Sequence, residues 1–144
     1  MVTKNAWAVT ILRVAVGIVF LAHGAQKLFV LHFSGVTHLF TQAGIPLPHL
    51  SAVVVTLVEF LGGLALVLGL GTRIGALLLA IDMLCAIALV HFKLGFFAPR
   101  GFEYPFVLLA ANIGLALTGA GALALDNLFG REKNAAQTGV IRAA

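Results

Sequence analysis

Four long apolar stretches dominate this chain of 144 residues, and they restrict its fold more than any other feature. A helix needs about 20 apolar residues to cross the hydrocarbon core of a bilayer. Each stretch has about that length, and together they cover residues 7–31, 49–70, 73–93 and 104–122. Charged side chains make up only 10% of the chain, whereas a soluble domain carries about 25%. The sequence therefore predicts an all-α integral membrane protein, a bundle of four transmembrane helices in a single domain.

The connections between the stretches differ in kind. In the first connection the apolar residues recur at helical spacing, and Gly44, Pro46 and Pro48 then stop the pattern. This predicts a short interfacial helix over about residues 35–43. The second connection, residues 69–73, is a tight glycine-containing turn, whereas the third is a longer loop rich in Phe and Gly. Residues 127–144 form a polar tail.

The basic residues predict how the bundle is oriented. The N-terminus, the tight turn and the tail are expected on one side of the membrane, which holds Lys4, Arg73, Arg131, Lys133 and Arg142 and has Arg13 nearby. The other side holds Lys27, Lys93 and Arg100. Because Lys and Arg concentrate in cytoplasmic loops, we expect a bacterial-type cytoplasmic membrane protein with both termini in the cytoplasm. No basic stripe with interleaved aromatic residues is present, so nucleic acid is not an expected partner.

Cysteine and histidine content limits the metal and redox chemistry. Cys85 is the single cysteine of the chain, which excludes an internal disulfide, a CxxC motif and a cysteine metal cage. His23 and His91 lie at similar predicted depths, but one histidine pair without further ligands is weak support for haem. We therefore expect neither a metal ion nor haem.

Polar side chains fall inside all four predicted spans, where an ionised group costs about 2.5–3.5 kcal/mol on insertion scales. At about 1.5 Å per residue, Arg13 lies about 9 Å deep, Asp82 about 14 Å, Asn112 about 15 Å and Glu59 about 16 Å. We expect these four residues to form an intramembrane network in which Arg13 pairs with Asp82 or Glu59. The carboxyl group left over would be a proton carrier. Purely structural contacts between helices are the alternative interpretation.

Glycines share helix faces with these polar residues. One face of the first span carries residues at spacings of four and three: Arg13, Gly17, Phe20, Gly24 and Lys27. Gly62 and Gly63 follow Glu59 by three and four positions, so they lie on its face. Such faces predict close approach of neighbouring backbones inside the bundle. They are equally compatible with a homo-oligomer.

Aromatic and protonatable residues gather toward the predicted outer end of the bundle. All five histidines and eight of the eleven Phe residues lie in or beyond that half. A flat ring with two carbonyl groups, such as a quinone, suits this environment, because Phe rings stack on it while polar groups donate to its oxygens. The residues expected to contact it are His23, Gln26, Lys27, His91, Glu103 and Tyr104. An aromatic belt at the membrane interface is the alternative.

Several short motifs occur in a fixed order along the chain. They are Leu12-Arg13, Gly17, Phe20, His23-Gly24, Lys27-Leu28-Phe29, Gly44-Ile45-Pro46, Glu59 with Gly62-Gly63, Gly69-Leu70-Gly71-Thr72-Arg73, and Gly101-Phe102-Glu103-Tyr104-Pro105. Through these motifs, over about residues 10–127, the chain resembles the DoxX family of small four-helix membrane proteins.

The resemblance implies a redox-linked function. The family is named for its link to a membrane-bound thiosulfate:quinone oxidoreductase, and other members are tied to oxidative-stress and redox functions, often with soluble partners. The positions that match the family are Arg13, His23, Lys27, Glu59, Arg73 and Glu103. Asp82 and Cys85 are not family hallmarks, which indicates a subfamily with its own substrate or proton route.

Together these features predict a membrane subunit of a quinone-linked oxidoreductase or of a related redox or oxidative-stress complex. Electrons would come from a soluble or membrane-bound redox partner, because the chain carries no redox-cofactor motif. No catalytic residue is assigned. Two alternatives stay open: a proton-coupled small-molecule carrier that uses Glu59 and Asp82, and an assembly subunit without chemistry of its own.

Overall fold

The computed structural model describes residues 3–128, and every regular element in this range is helical. The helices are α1 (Lys4–Ala25), α2 (His32–Gln42), α3 (Pro48–Leu68), α4 (Thr72–Ala86) and α5 (Glu103–Thr118). Two π-helical segments extend them, Gln26–Leu31 after α1 and Ile87–His91 after α4, and a 3₁₀ turn follows at Phe92–Leu94. Most of the predicted polar tail, residues 129–144, lies outside the described residues.

Three helical stretches are long and apolar enough to cross a membrane: Lys4–Gln42, Pro48–Leu68 and Thr72–Leu94. These correspond to the first three predicted spans. The helix Glu103–Thr118 is apolar but has only 16 residues. It ends before the predicted residue 122, because Gly119 has a φ of +87° and turns the chain out of the helix.

Local signals explain where the long helices start and stop. The hydroxyl of Thr3 accepts the N–H of Ala6 at 3.3 Å and caps α1. Pro48 occupies the first turn of α3, where its missing N–H costs nothing. Gly69 and Gly71 have φ values of +68° and +58° and reverse the chain between α3 and α4, at what we term the turn end of the bundle. The opposite end, which carries residues 95–102, is the loop end.

Helices α1 and α3 pack backbone to backbone through small residues. A methyl group added to Gly24 would collide with the backbone of Phe60, and one added to Gly63 with the backbone of Leu21. A methyl group on Gly17 would lie 2.9 Å from the Val67 nitrogen. The predicted close approach at the glycine faces is therefore confirmed inside one chain.

The other helices complete the core around this pair. Phe20 from α1, Leu66 from α3, Leu79 from α4 and Leu115 from α5 are all buried and belong to one hydrophobic cluster. Large apolar side chains on the outer surfaces of the helices are exposed, as expected for surfaces that face lipid. The bundle thus has a hydrophobic core and an apolar exterior.

The predicted short helix of the first connection is present and slightly longer than expected. It starts at His32, whose φ of +56° breaks the path of the first span, and ends at Gln42. Its Val36 is 1% exposed, and the Thr37 hydroxyl lies 3.4 Å from Nδ1 of His49 at the start of α3. The helix therefore packs against α3 through its apolar face.

Candidate functional site

A buried ion pair joins the first two long helices. The Nζ of Lys27 donates to Oε2 of Glu59, and the two side chains are 18% and 7% exposed. Lys27 lies in the π-helical segment after α1, and π-helical turns occur frequently at functional sites. Lys27 follows the end of α1, on the side of the loop end, and its ammonium neutralises the carboxylate of Glu59.

Arg13 does not pair with either intramembrane acid, and this expectation was wrong. Its Nη1 donates to the carbonyl of Leu66 at 2.7 Å, and its Nη2 donates to the carbonyl of Leu123 at 3.0 Å. These carbonyls lie at the turn end, because α3 and the chain after α5 both finish there. The guanidinium therefore extends away from Glu59 and Asp82 and joins α1 to two backbone carbonyls at the turn end.

Asp126 completes the turn end, and the sequence analysis gave it no role. Its carboxylate accepts the N–H of Gly71 at 2.7 Å and the N–H of Thr72 at 3.1 Å, while its own N–H donates to Gly69 at 2.9 Å. Gly71 offers no side-chain cap to α4, so a distant carboxylate takes that place. Two sequence signals could have predicted this contact. Gly71 has no side chain to cap α4, and Asp126 is an acid that follows the last apolar stretch.

Asp82 and Asn112 are buried at 9% and 0% exposure. Oδ2 of Asp82 and Oδ1 of Asn112 have no hydrogen-bond partner among the described residues. The Nδ2 group of Asn112 donates to the carbonyl of Leu108 at 2.9 Å, one turn earlier on its own helix. Leu79, one turn before Asp82, packs against Gly62, one turn after Glu59, so the two acids lie at a similar level on neighbouring helices. The structure thus brings Lys27, Glu59 and Asp82 together.

Near the ion pair, α1 presents polar groups beside an aromatic contact. His23 lies one turn before Lys27, and its Nδ1 bonds to the carbonyl of Val19 at 2.9 Å, which leaves Nε2 available. Phe29 and Phe60 meet edge to face with their ring centroids 5.9 Å apart. Gln26, between His23 and Lys27, is exposed. This part of α1 and α3 therefore combines an imidazole, the ion pair of Lys27 with Glu59 and two aromatic rings.

His91, Glu103 and Tyr104 belong to a separate group at the loop end. Nδ1 of His91 bonds to the carbonyl of Arg100 at 2.8 Å, and Oε1 of Glu103 accepts the N–H of Ala98 at 2.8 Å. Tyr104 is 50% exposed. Within residues 3–128, no hydrogen bond or ion pair links these three residues to those of α1. His91 and Glu103 therefore stabilise the conformation of the loop at residues 95–102.

The aromatic side chains of the loop pack on one another. Phe92 and Phe102 stack with ring centroids 5.8 Å apart, and Phe96 contacts Phe102 edge to face at 5.2 Å. A methyl group on Gly101 would collide with the backbone of Phe96, so the loop closes tightly at this glycine. These rings give the loop end a preformed aromatic surface.

An open groove of about 580 Å³ lies at the turn end, far from the predicted quinone residues. Thr72, Arg73, Asp126 and the backbone after α5 line it. The side chain of Arg73 lies against Gly119. Cys85, one turn after Asp82, is exposed on the surface of the bundle. In the part of the chain that the structure describes, no three His, Cys, Asp or Glu side chains are grouped as metal ligands.

The fold and the buried ion pair define a multi-pass helical membrane protein with charged groups held inside its bundle. The chain belongs to the DoxX family, whose model matches residues 8–92. It is 38% identical over 125 residues to a protein of Bacillus subtilis (strain 168) named "Putative oxidoreductase CatD", which covers 86% of this chain and 89% of the relative. No solved structure matches the chain.

Proposed function

We propose that this protein is the membrane subunit of a quinone-linked oxidoreductase or related redox complex of the bacterial cytoplasmic membrane. A soluble or membrane-bound partner supplies the electrons. The DoxX membership and the oxidoreductase name of the relative support the redox assignment. The observation that carries the quinone assignment is the position of His23 and the Lys27–Glu59 ion pair beside the rings of Phe29 and Phe60.

The chemistry of a quinone fits these residues. Its ring is apolar and stacks on an aromatic side chain such as Phe29, which is 64% exposed and accessible from lipid. Its carbonyl oxygens accept hydrogen bonds, which the ammonium of Lys27 and the imidazole of His23 can donate. Reduction of a quinone to a quinol takes up two electrons and two protons, and protonatable groups next to the ring provide the protons.

The proposed site uses one half of the six residues predicted from the sequence. His23, Gln26 and Lys27 follow one another along α1 and its π-helical extension and would contact the ring. His91, Glu103 and Tyr104 would border the same end of the bundle from the loop. Gly17, Gly24 and Gly63 are used for packing within the chain, so the proposed function does not require a homo-oligomer.

Photolabelling with an azido-quinone tests the site directly. The full chain, purified and placed in nanodiscs, should be labelled on the peptides that contain residues 23–29 and Phe60. Labelling should fall at least tenfold in His23→Leu and in the double variant Lys27→Met/Glu59→Gln, which removes both charges together and leaves neither one unpaired. Lys93→Met, an exposed lysine at the loop end, is the matched control. Equal labelling of all variants would overturn the quinone site.

The carrier alternative has one observation in its favour: Oδ2 of the buried Asp82 has no hydrogen-bond partner among the described residues. Flux measurements in proteoliposomes separate the two functions. Solute uptake that is driven by a proton gradient without an electron donor, and is lost in Asp82→Asn, would favour a carrier. Quinone reduction that depends on a partner and on His23 favours the oxidoreductase subunit.

A further inference from the structure

Asp82 lies at the same depth as Glu59, on the facing side of the bundle interior. Gly62, three residues after Glu59, packs against the side chain of Leu79, three residues before Asp82. Because α3 and α4 are antiparallel neighbours, this contact fixes the register and places the two carboxyl groups at one level. Among the described residues, Lys27 is the cation that faces the two acids, and its ammonium is bound to Glu59. Asp82 is therefore a second buried acid without its own counterion.

Asn112 provides a neighbouring oxygen on α5. Leu79 and Met83 on either side of Asp82 belong to the same hydrophobic cluster as Leu108 and Leu115 on either side of Asn112, so the two polar residues face a shared core. Oδ1 of Asn112 and Oδ2 of Asp82 are both buried acceptors that lack a donor among the described residues. Each of them requires a donor, because buried polar atoms are nearly always satisfied.

We propose that Asp82 binds an exchangeable proton in the middle of the bundle, with its O–H directed at Oδ1 of Asn112. The proton makes the acid neutral and supplies the missing donor. When it leaves, the O–H bond of Asp82 breaks, the proton passes to water at the loop end, and no electrons move. The resulting carboxylate then competes with Glu59 for the ammonium of Lys27. This proton site does not depend on a quinone being the substrate.

The electrostatic surroundings of Asp82 assign the proton to this acid and not to Glu59. On α3 the facing titratable group is Glu59, on the extension of α1 it is Lys27, and α5 contributes the uncharged Asn112. Arg13 is bound to carbonyls at the turn end and cannot neutralise either acid. One cation serves two carboxyl groups, so one of the two takes the neutral form that a dry interior favours.

Infrared spectroscopy detects a protonated carboxyl group by its C=O stretch, which shifts on exchange into D₂O. The chain has five acidic residues, so the band can be assigned by substitution. The purified full chain in nanodiscs should show this band at neutral pH, and Asp82→Asn should abolish it. Asn112→Leu should shift its frequency, because the hydrogen-bond partner is removed. Asp126→Asn, which changes an acid at the turn end, should leave the band unchanged.

Changes at Glu59 test the competition for Lys27. In Glu59→Gln the ammonium has only Asp82 as an anion, so the Asp82 proton should leave and the band should disappear. The double variant Glu59→Gln/Lys27→Met removes the ammonium as well, and the band should return. A band that is lost in Glu59→Gln and stays lost in the double variant would overturn the proposal, because Asp82 would then be unprotonated even without the ammonium beside it. So would a wild-type spectrum without a carboxylic acid band, or one that Asp82→Asn leaves intact. The helical amide band of each spectrum verifies folding.

Discussion

Lys27 and Glu59 depend on each other, because each is a charge in a region with little water to solvate it. The lysine side chain is 18% exposed and the glutamate side chain 7%, so the pair is shielded but not sealed. Breaking a buried pair leaves one unpaired charge, whereas removing both charges together is often neutral. The two charges should therefore be strongly coupled in the stability of the bundle.

We expect Lys27→Met to lower the free energy of unfolding by about 3–5 kcal/mol, the usual cost of leaving a buried charge unpaired. Glu59→Gln in the same chain should restore most of that loss. The measurement is unfolding in mixed micelles with increasing SDS, arranged as a double-mutant cycle. Lys93→Met, which removes an exposed charge, should change stability by no more than about 0.5 kcal/mol. Additive effects of the two buried substitutions would show that the pair is not coupled.

At the scale of the helices, small residues set the distance between α1 and α3. Ala at residue 24 would place its methyl group within the backbone of Phe60, which cannot move as a flexible side chain could. Gly114 on α5 has no atom within 4 Å of the added methyl group. The two glycines therefore form a matched pair for the same substitution.

Gly24→Ala should destabilise the bundle by about 1–3 kcal/mol, the usual cost of overpacking. Gly114→Ala should be neutral or stabilising by up to about 1 kcal/mol, because alanine has the higher helix propensity. Both are measured by the same SDS unfolding assay. Equal losses in the two variants would mean that general loss of glycine flexibility, and not the contact with α3, sets the cost.

The start of α4 depends on a residue more than fifty positions away. Asp126 accepts the N–H groups of both Gly71 and Thr72, so Asp126→Ala leaves both amides without a partner. We expect a loss of about 0.5–2 kcal/mol, the range for removal of a helix N-cap. Hydrogen exchange should accelerate at Gly71 and Thr72 but not at Gly101, whose N–H bonds to Phe97 at the loop end. Unchanged exchange at the turn would contradict the capping role.

The length and apolar character of the stretches were sufficient to predict long helices, but not the partners of their polar residues. The long apolar stretches and the stops at Pro48 and Gly69 define helices to within a few residues, because these signals are local. The partner of Arg13 was not predictable in this way. A depth along the membrane normal does not say in which direction a long side chain extends, and the carbonyls of Leu66 and Leu123 come from distant parts of the chain.

The residues of the candidate site were predictable from the sequence, but not all of their contacts were. Glu59, Asp82 and Lys27 stand out as charges within apolar stretches, and the structure brings them together. The π-helical segment that carries Lys27 has no sequence signal of its own. A count of residues placed this lysine near the membrane surface, and the reach of its long side chain to Glu59 was missed.

At the scale of the whole molecule, contacts at both ends decide whether α5 crosses the membrane. Its 16 residues span about 24 Å, less than the roughly 30 Å of a typical hydrocarbon core. Its first residues adjoin the loop end, where Phe102 stacks on Phe92. After its last turn, the N–H of Ala122 donates to the carbonyl of Ala6 at the start of α1. If α4 crosses the bilayer, α5 must cross it too, and tilt or local thinning accommodates its length.

Single cysteines introduced into a Cys85→Ser background test this topology and its orientation. Leu70→Cys at the turn end and Thr118→Cys at the last residue of α5 should react with a membrane-impermeant maleimide only when the cytoplasmic face is accessible, because the basic residues concentrate at that end. Phe97→Cys, whose native side chain is 78% exposed at the loop end, should react in intact cells. The reverse pattern would invert the orientation. Reaction of Thr118→Cys on the same side as Phe97→Cys would show that α5 does not cross the membrane. The contact of Ala122 with Ala6 at the turn end would then be absent in the bilayer.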